Sequence, residues 1–67
     1  MENTPAHIAL ADYIRAKGIK KQDFAAQVGV RNSQLSRWLS GRVRPERYFR
    51  MVLAQVTEGA VPEDAWK

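Results

Sequence analysis

The sequence contains no cysteine and a single histidine, His7. Disulfide bonds and thiolate metal sites are therefore excluded, and one imidazole cannot build a zinc site alone. No apolar run approaches the roughly 18 residues of a membrane-spanning helix, and residues 1–20 lack the apolar core of a signal peptide. We expect a single cytoplasmic domain over residues 1–67, with no membrane association, no metal, no cofactor and no small-molecule ligand.

Acidic residues are scarce in the middle of the chain. Residues 15–50 hold ten of the eleven lysines and arginines but only two of the seven aspartates and glutamates. Such a polarised charge distribution attracts a polyanion and gives it a preferred face. Charge alone leaves open the alternative that this basic surface is merely hydrated and binds nothing.

Catalytic patterns are also lacking. The sequence has no paired carboxylates in an apolar setting, no set of metal ligands and no glycine-rich phosphate loop. His7 would need a nucleophile and an orienting group to act as a catalytic base, and neither can be named. We therefore expect that the protein is not an enzyme and that His7 is a surface helix residue.

Short helices fill most of the sequence, and no strand pattern is present. Thr4 as N-cap and Pro5 at the first helical position predict the first helix start, and Gly18 and Gly29 predict two helix ends. Pro45 predicts another start. The predicted helices cover about residues 5–17, 21–28, 32–40, 45–57 and 62–66, which indicates an all-α fold of four or five short helices.

The third helix separates an apolar side from a polar side. On a helical wheel, Leu35, Trp38 and Leu39 fall within an arc of about 100°, which favours Trp38 as a core residue rather than a stacking platform. Polar side chains lie opposite, at Ser33, Ser36, Arg37 and Ser40. Asn32 lies nearer the apolar side, but at the N-terminal tip of the helix it can still face outward. The helix is about 14 Å long and fits across a major groove about 12 Å wide.

The segment GIKKQDFAAQVGVRNSQLSRWLSGRVRP (residues 18–45) carries a family resemblance. Its small Ala25, its Gly29-Val30 turn, the run from Ser36 to Leu39 and the loop from Gly41 to Pro45 stand at matching spacing. Over about residues 8–60 the chain resembles the Cro and repressor family of helix-turn-helix proteins, also called the xenobiotic-response-element type. The resemblance implies a lambda-repressor-like domain that binds double-stranded DNA with its third helix.

The chain departs from this family at three places. Lys20 and Arg31 occupy helix N-cap positions where the family often has serine or threonine, and each lost cap costs roughly 1 kcal/mol. We interpret these cations as placed where DNA phosphates approach. No β-strand follows the fourth helix, so a dimer would have to form through an exposed helical surface.

The polar side of the third helix predicts the base contacts. Asn and Gln pair with adenine and Arg pairs with guanine, and the resemblance places the family's base contacts at the matching positions. The alternative is an ordinary hydrated helix face. The predicted base contacts are Asn32, Ser33, Gln34 and Arg37, and the assignment of Ser36 and Ser40 stays open.

Phosphate contacts are expected from the start of the second helix and from the loop after the third. For the loop arginines the alternative is hydrated charge. The predicted phosphate contacts are Lys21, Gln22, Arg31, Ser40, Arg42 and Arg44. The remaining central cations, Arg15, Lys17, Arg47 and Arg50, are expected to be hydrated or paired with acids.

The fourth helix is apolar over much of its circumference, which favours a second buried contact. The candidates for a dimer interface are Phe49, Met51, Leu53, Val61 and Trp66, and the alternative is that they complete the monomer core. One helix reads about four base pairs, too few for a genomic site. A homodimer places two reading helices about 34–36 Å apart on a palindrome.

We therefore expect a Cro-like transcriptional regulator, acting as a repressor or activator, from a bacterium or phage. One rival is an antitoxin-type protein of the same fold, whose acidic and apolar tail from Glu58 to Trp66 binds a partner protein. A second rival is an RNA-binding protein, but RNA readers usually expose aromatic side chains and the third helix exposes none.

Overall fold

The protein is described here by a computed structural model that covers residues 5–66. In chain order the elements are α1 (Ala6–Lys17), α2 (Lys21–Val28), α3 (Asn32–Leu39), α4 (Arg47–Val56) and a 3₁₀ helix (Glu63–Trp66). Residues 5–66 contain no β-strand. The predicted all-α helix-turn-helix fold is confirmed.

Two predicted helix starts lie slightly too early. Pro5 is the N-cap of α1 rather than its first residue, because its ψ of 146° is extended while its carbonyl already accepts the Ala9 N–H at 3.0 Å. Thr4 lies outside the described residues. Similarly, α4 starts after Pro45, because Glu46 is extended at ψ 161° and occupies the N-cap.

Glycines end the first two helices, as predicted. Gly18 and Gly29 adopt positive φ values of 68° and 93°, which side chains with a Cβ resist. The following N–H groups fold back, from Ile19 to the Ile14 carbonyl at 3.1 Å and from Val30 to the Ala25 carbonyl at 3.0 Å. These bonds satisfy the free carbonyls and direct both following side chains onto the core.

The core lies where α3 meets α1 and α2. Helix α4 packs against α2 on one side and against the 3₁₀ helix on another. Trp38 is completely buried, as the wheel predicted, and its ring centroid lies 5.5 Å from that of Phe49 on α4. The buried apolar residues are Ala6, Leu10, Ile14, Phe24, Ala25, Val28, Leu35, Trp38, Leu53, Val61 and Trp66.

A buried threonine joins α4 to the C-terminal segment. Thr57 is 1% exposed, and its Oγ1 donates to the Leu53 carbonyl at 2.6 Å and accepts the Val61 N–H at 3.2 Å. Both polar functions of the hydroxyl are thereby satisfied, which a buried hydroxyl requires. The turn after α4 brings Val61 and Trp66 back over the core.

For three of the five candidate dimer residues, this return favours the alternative that they complete the monomer core. Leu53 and Val61 are completely buried and Trp66 is 5% exposed, all within the core of one chain. Their apolar surface is already covered by the chain itself, so they offer no contact area to a second copy in this fold. Of the five expected residues, only Phe49 and Met51 keep part of their surface accessible.

Candidate nucleic-acid interface

Helix α3 presents a polar face to solvent. Asn32, Ser33 and Arg37 are exposed and Gln34 is half-buried, while Leu35 and Trp38 on the opposite side are completely buried. The apolar side fixes the helix to the core, so its polar side chains start from a rigid support. Rigid elements hold contacting side chains more accurately than loops do.

The dimensions of α3 suit a DNA groove. Its eight residues span about 12 Å at 1.5 Å per residue, close to the width of about 12 Å of the major groove. The exposed side chains are amide, hydroxyl and guanidinium groups, which form the common hydrogen bonds with base edges. The four predicted base contacts therefore lie on one short helix.

Cations occupy the N-caps of both helices of the motif, as expected. Lys20 precedes α2 and Arg31 precedes α3, both in extended conformation and neither with a side-chain capping bond. The first N–H groups of each helix therefore have no side-chain acceptor at the cap. Free N–H groups at a positive helix end are a favourable site for a phosphate oxygen.

A side-chain bond joins the two helices of the motif. Lys21, the first residue of α2, donates from Nζ to Oγ of Ser36 on α3 at 3.1 Å. The structure thus directs the predicted phosphate contact Lys21 toward α3, next to the predicted base contacts. Its neighbour Gln22 is exposed. The sequence alone does not predict this bond, because its two partners lie 15 residues apart on different helices.

The serine that follows α3 shapes the next turn. Ser40 Oγ donates to the Arg37 carbonyl at 2.8 Å and accepts the Arg42 N–H at 3.3 Å. The hydroxyl proton of this predicted phosphate contact is therefore used within the turn. The Arg42 side chain remains exposed beside α3.

The Arg44 side chain contacts the C-terminal 3₁₀ helix. Its Nη1 donates to the Trp66 carbonyl at 3.1 Å in a partly buried setting. It also lines a cavity of about 420 Å³ with Arg50, Glu63, Asp64 and Trp66. Arg42 and Arg44 were predicted to share one role, but the structure places Arg44 against the C-terminal 3₁₀ helix.

Two of the four remaining central cations form ion pairs with acids, which is one of the two outcomes expected for them. Arg15 Nη1 lies 3.5 Å from Asp12 Oδ1 on α1, and Arg47 Nε lies 3.6 Å from Glu63 Oε2. Arg50 donates to the Pro45 carbonyl at 2.9 Å. Lys17 Nζ lies 5.7 Å above the ring of Tyr13.

His7 lies on α1, as the prediction of a surface helix residue requires, but its side chain is not fully exposed. It is half-buried, and a Cβ added to Gly41 would come within 3.0 Å of its imidazole ring. The ring therefore packs on the backbone at the end of α3. Gly41, at φ 81°, allows both this close approach and the positive φ of the turn.

The outer face of α4 carries exposed apolar surface, formed by the predicted interface residue Met51 and by Tyr48, which was not among the predicted interface residues. Tyr48 is 67% exposed and Met51 is 47% exposed, three residues apart and therefore on one side of the helix. The Tyr48 ring packs edge-on against Phe49 at a centroid distance of 5.1 Å. The sequence shows the apolar excess of α4, but which of its residues face outward depends on where the 3₁₀ helix packs.

Over residues 5–66, no helix has the length and apolar character needed to cross a membrane. The same residues contain no cluster of three or more His, Asp or Glu side chains able to hold a metal ion.

An exposed polar helix, anchored on its apolar side and preceded across a glycine turn by a second helix with a basic N-terminal end, defines a helix-turn-helix DNA-binding domain. A family model described as Helix-turn-helix matches residues 10–48, more than half of the chain. The chain therefore belongs to the helix-turn-helix family, of the Cro/C1 type, and is a DNA-binding regulator in general terms. This family is not typically enzymatic. No curated protein and no solved structure gave a significant match.

Proposed function

We propose that this chain is a sequence-specific transcriptional regulator of the Cro-like repressor type, which binds double-stranded DNA with α3 in the major groove. The observation that carries the proposal is the polar face of α3. Asn32, Ser33 and Arg37 are exposed on a helix whose Leu35 and Trp38 are completely buried. A protein with this surface can hold hydrogen-bonding side chains at fixed positions along a groove.

Base contact is assigned to the four side chains of this face. Asn32 and Gln34 carry amides that match adenine, and the Arg37 guanidinium matches O6 and N7 of guanine. Ser33 accepts or donates a hydrogen bond and is therefore less selective.

Phosphate contact is assigned to the borders of this face. Arg31 precedes α3 and Arg42 follows it, and both have exposed side chains. Gln22 is exposed at the start of α2. The N–H groups at the two uncapped helix starts supply further donors. Ser40 contributes by holding the turn that carries Arg42, and Arg44 contributes mainly to the fold.

A homodimer follows from the small size of one reading helix. A single α3 covers about four base pairs, so a two-fold pair of copies on a palindromic operator supplies the missing specificity. Of the expected dimer residues, Met51 and Phe49 remain candidates, and they share the outer part of α4 with the exposed Tyr48. Repression would result from occupancy of a promoter in a bacterial or phage genome.

The antitoxin alternative is less well supported by the tail. Its argument needs apolar side chains between Glu58 and Trp66 that are free to hold a partner protein. Val61 and Trp66 are buried against their own chain, so the large apolar side chains of this segment are not free to hold a partner.

The salt dependence of DNA binding tests the proposal. If about 6–10 phosphates are contacted, affinity for a selected site should fall roughly 10³–10⁵-fold between about 50 and 200 mM salt, because counterions are released. Fluorescence anisotropy on a labelled duplex measures this slope, and a duplex of random sequence serves as the matched control. A flat response, or equal affinity for both duplexes at all salt concentrations, would contradict sequence-specific DNA binding.

A further inference from the structure

The hydrogen bond between Lys21 and Ser36 has a consequence for base selection. Lys21 begins α2 and Ser36 lies in the second turn of α3, and their Nζ and Oγ atoms are 3.1 Å apart. The bond crosses the turn at Gly29 and lies on the solvent side of the motif, since Lys21 is exposed and Ser36 is half-buried. Both partners are therefore accessible to a bound ligand.

The chemistry of the pair determines the direction of its hydrogen bond. An ammonium group has three N–H donors and no acceptor, so Ser36 Oγ must accept from Lys21. The hydroxyl proton of Ser36 and two ammonium protons are left to donate. Among the described residues, the bond from Lys21 is the one side-chain hydrogen bond of Ser36, whereas Ser40 and Thr57 direct their protons to carbonyls of their own helices.

The position of Ser36 places these donors on the reading surface. Ser36 follows Ser33 by three residues and precedes Ser40 by four, so the three serines form one strip along α3. Arg37 is the next residue in the chain. The Lys21–Ser36 pair thus widens the polar face of α3 on its α2 side.

We propose that Lys21 and Ser36 act together as a donor-only element that selects a guanine in each half-site. Guanine presents two neighbouring acceptors, O6 and N7, in the major groove, whereas adenine and cytosine each present an amino group that would face these donors. Two adjacent donors on Nζ and Oγ match two adjacent acceptors. Ser36 contacts the base, and Lys21 both contributes a donor and fixes the hydroxyl as one.

This inference rests on the proposed function and replaces the phosphate contact that the sequence predicts for Lys21. A phosphate oxygen is also an acceptor, and a Lys21 that only contacts phosphate would strengthen binding to every sequence. A Lys21 that acts with Ser36 changes the preference at one base pair. The two roles therefore predict different effects of the same substitution.

The test is a double-substitution cycle on base preference. Sites are selected from random DNA with the unmodified protein, and affinities are then measured for duplexes changed at each base pair. We expect Lys21→Met and Ser36→Ala each to reduce discrimination at the same G·C pair about fivefold or more, a typical effect for a lost base contact. The double variant should lose little more than either single variant, because both changes remove one element.

Two controls separate the possible results. Gln27→Ala alters an exposed side chain of α2 to which no DNA contact is assigned, and it should leave discrimination at that base pair unchanged. Replacing the guanine by 7-deazaguanine, which lacks the N7 acceptor but keeps base pairing, should weaken the unmodified protein and affect Ser36→Ala much less. Circular dichroism spectra establish that every variant is folded, as expected for exposed or half-buried positions.

The outcomes distinguish this inference from the proposed function. If the unmodified protein binds its selected site but Lys21→Met weakens all duplexes equally and additively with Ser36→Ala, Lys21 is a phosphate contact and the inference is wrong. If Lys21→Met and Ser36→Ala change different base pairs, the coupling is also wrong. If the unmodified protein selects no sequence, both the inference and the proposed function fail.

Discussion

The basic side chains of two neighbouring regions are used differently. Around α3, Arg31, Arg37 and Arg42 extend exposed side chains into solvent. In the C-terminal region, Arg44 donates to the Trp66 carbonyl and Arg47 lies against Glu63. Arg42 and Arg44 stand two positions apart in one loop, yet they belong to different regions. Arg44 and Arg47 thus have partners within the chain, although both residues also remain exposed.

The two regions also differ in how their helix ends are satisfied. The starts of α2 and α3 follow Lys20 and Arg31, which provide no side-chain cap. The end of α4 is closed by the buried hydroxyl of Thr57, which holds both the Leu53 carbonyl and the Val61 N–H. The start of α4 at Glu46 also lacks a side-chain cap, so the regions differ in the side-chain closure at the end of α4 and in the cations that precede α2 and α3.

The largest expected effect comes from removing the anchor of the C-terminal region. Trp66→Ala should lower the free energy of unfolding by about 3–5 kcal/mol, because it leaves a cavity beneath the 3₁₀ helix. Urea denaturation followed by circular dichroism measures the change. Trp66→Phe is the control and should cost much less, since it keeps an aromatic ring and removes an indole N–H that has no partner among the described residues. A loss below about 1 kcal/mol for Trp66→Ala would mean that this segment does not belong to the core.

The next effect concerns the reading face. Arg37→Ala should weaken binding to the selected site by about 1–3 kcal/mol and relax the preference at one base pair. The free energy of unfolding should change by no more than about 0.5 kcal/mol, because the side chain is exposed. Titration against matched and single-mismatch duplexes measures this preference. An equal loss on random DNA would contradict a base-reading role.

The loop arginines allow a direct comparison of the two regions. Arg42→Ala should weaken binding to all sequences alike and reduce the salt slope by about one unit. Arg44→Ala should leave the salt slope nearly unchanged and lower the free energy of unfolding by about 1 kcal/mol, through the lost bond to the Trp66 carbonyl. Salt titrations and urea denaturation on both variants provide the measurements. Identical behaviour of the two variants would remove the distinction between the regions.

The smallest effect tests the basic N-caps. Arg31→Ser supplies a hydroxyl acceptor at the start of α3 and should stabilise the free protein by about 1 kcal/mol, while weakening its binding to DNA. Arg31→Ala is the matched control, since it removes the charge without adding an acceptor, and it should weaken DNA binding without stabilising the protein. Thermal denaturation and anisotropy titration compare the two variants. If Arg31→Ser and Arg31→Ala have the same stability, a side-chain cap at this position does not stabilise α3.

Local patterns predicted the positions of the helices, including the short helix near residues 62–66, but not how the C-terminal region packs. The bounds of α2 and the burial of Trp38 follow from a glycine end signal and from apolar spacing, which act within one or two helical turns. The direction of Arg44 and the burial of Val61 depend on the return of the chain over α4, which no local pattern encodes. For the same reason, three of the five expected dimer residues proved to be core residues.

The candidate site could also be predicted only in part from the sequence. The exposure of Ser33 and Arg37 could be predicted from the helical wheel, because it needs only the position of the apolar side. Asn32 falls nearer the apolar side on the wheel, and it is exposed at the N-terminal tip of α3. The bond between Lys21 and Ser36 could not, since it depends on the angle between α2 and α3. Local periodicity indicates which side chains face solvent, and tertiary packing determines which of them lie together.

Selection of bound sequences from random DNA tests the central claim most directly. We expect an enriched palindrome whose half-sites are separated by about one helical turn, about 10–10.5 base pairs between centres, because a two-fold dimer presents two copies of α3 at that spacing. Protein that retains DNA while enriching no sequence would contradict the assignment of α3 as a reading helix.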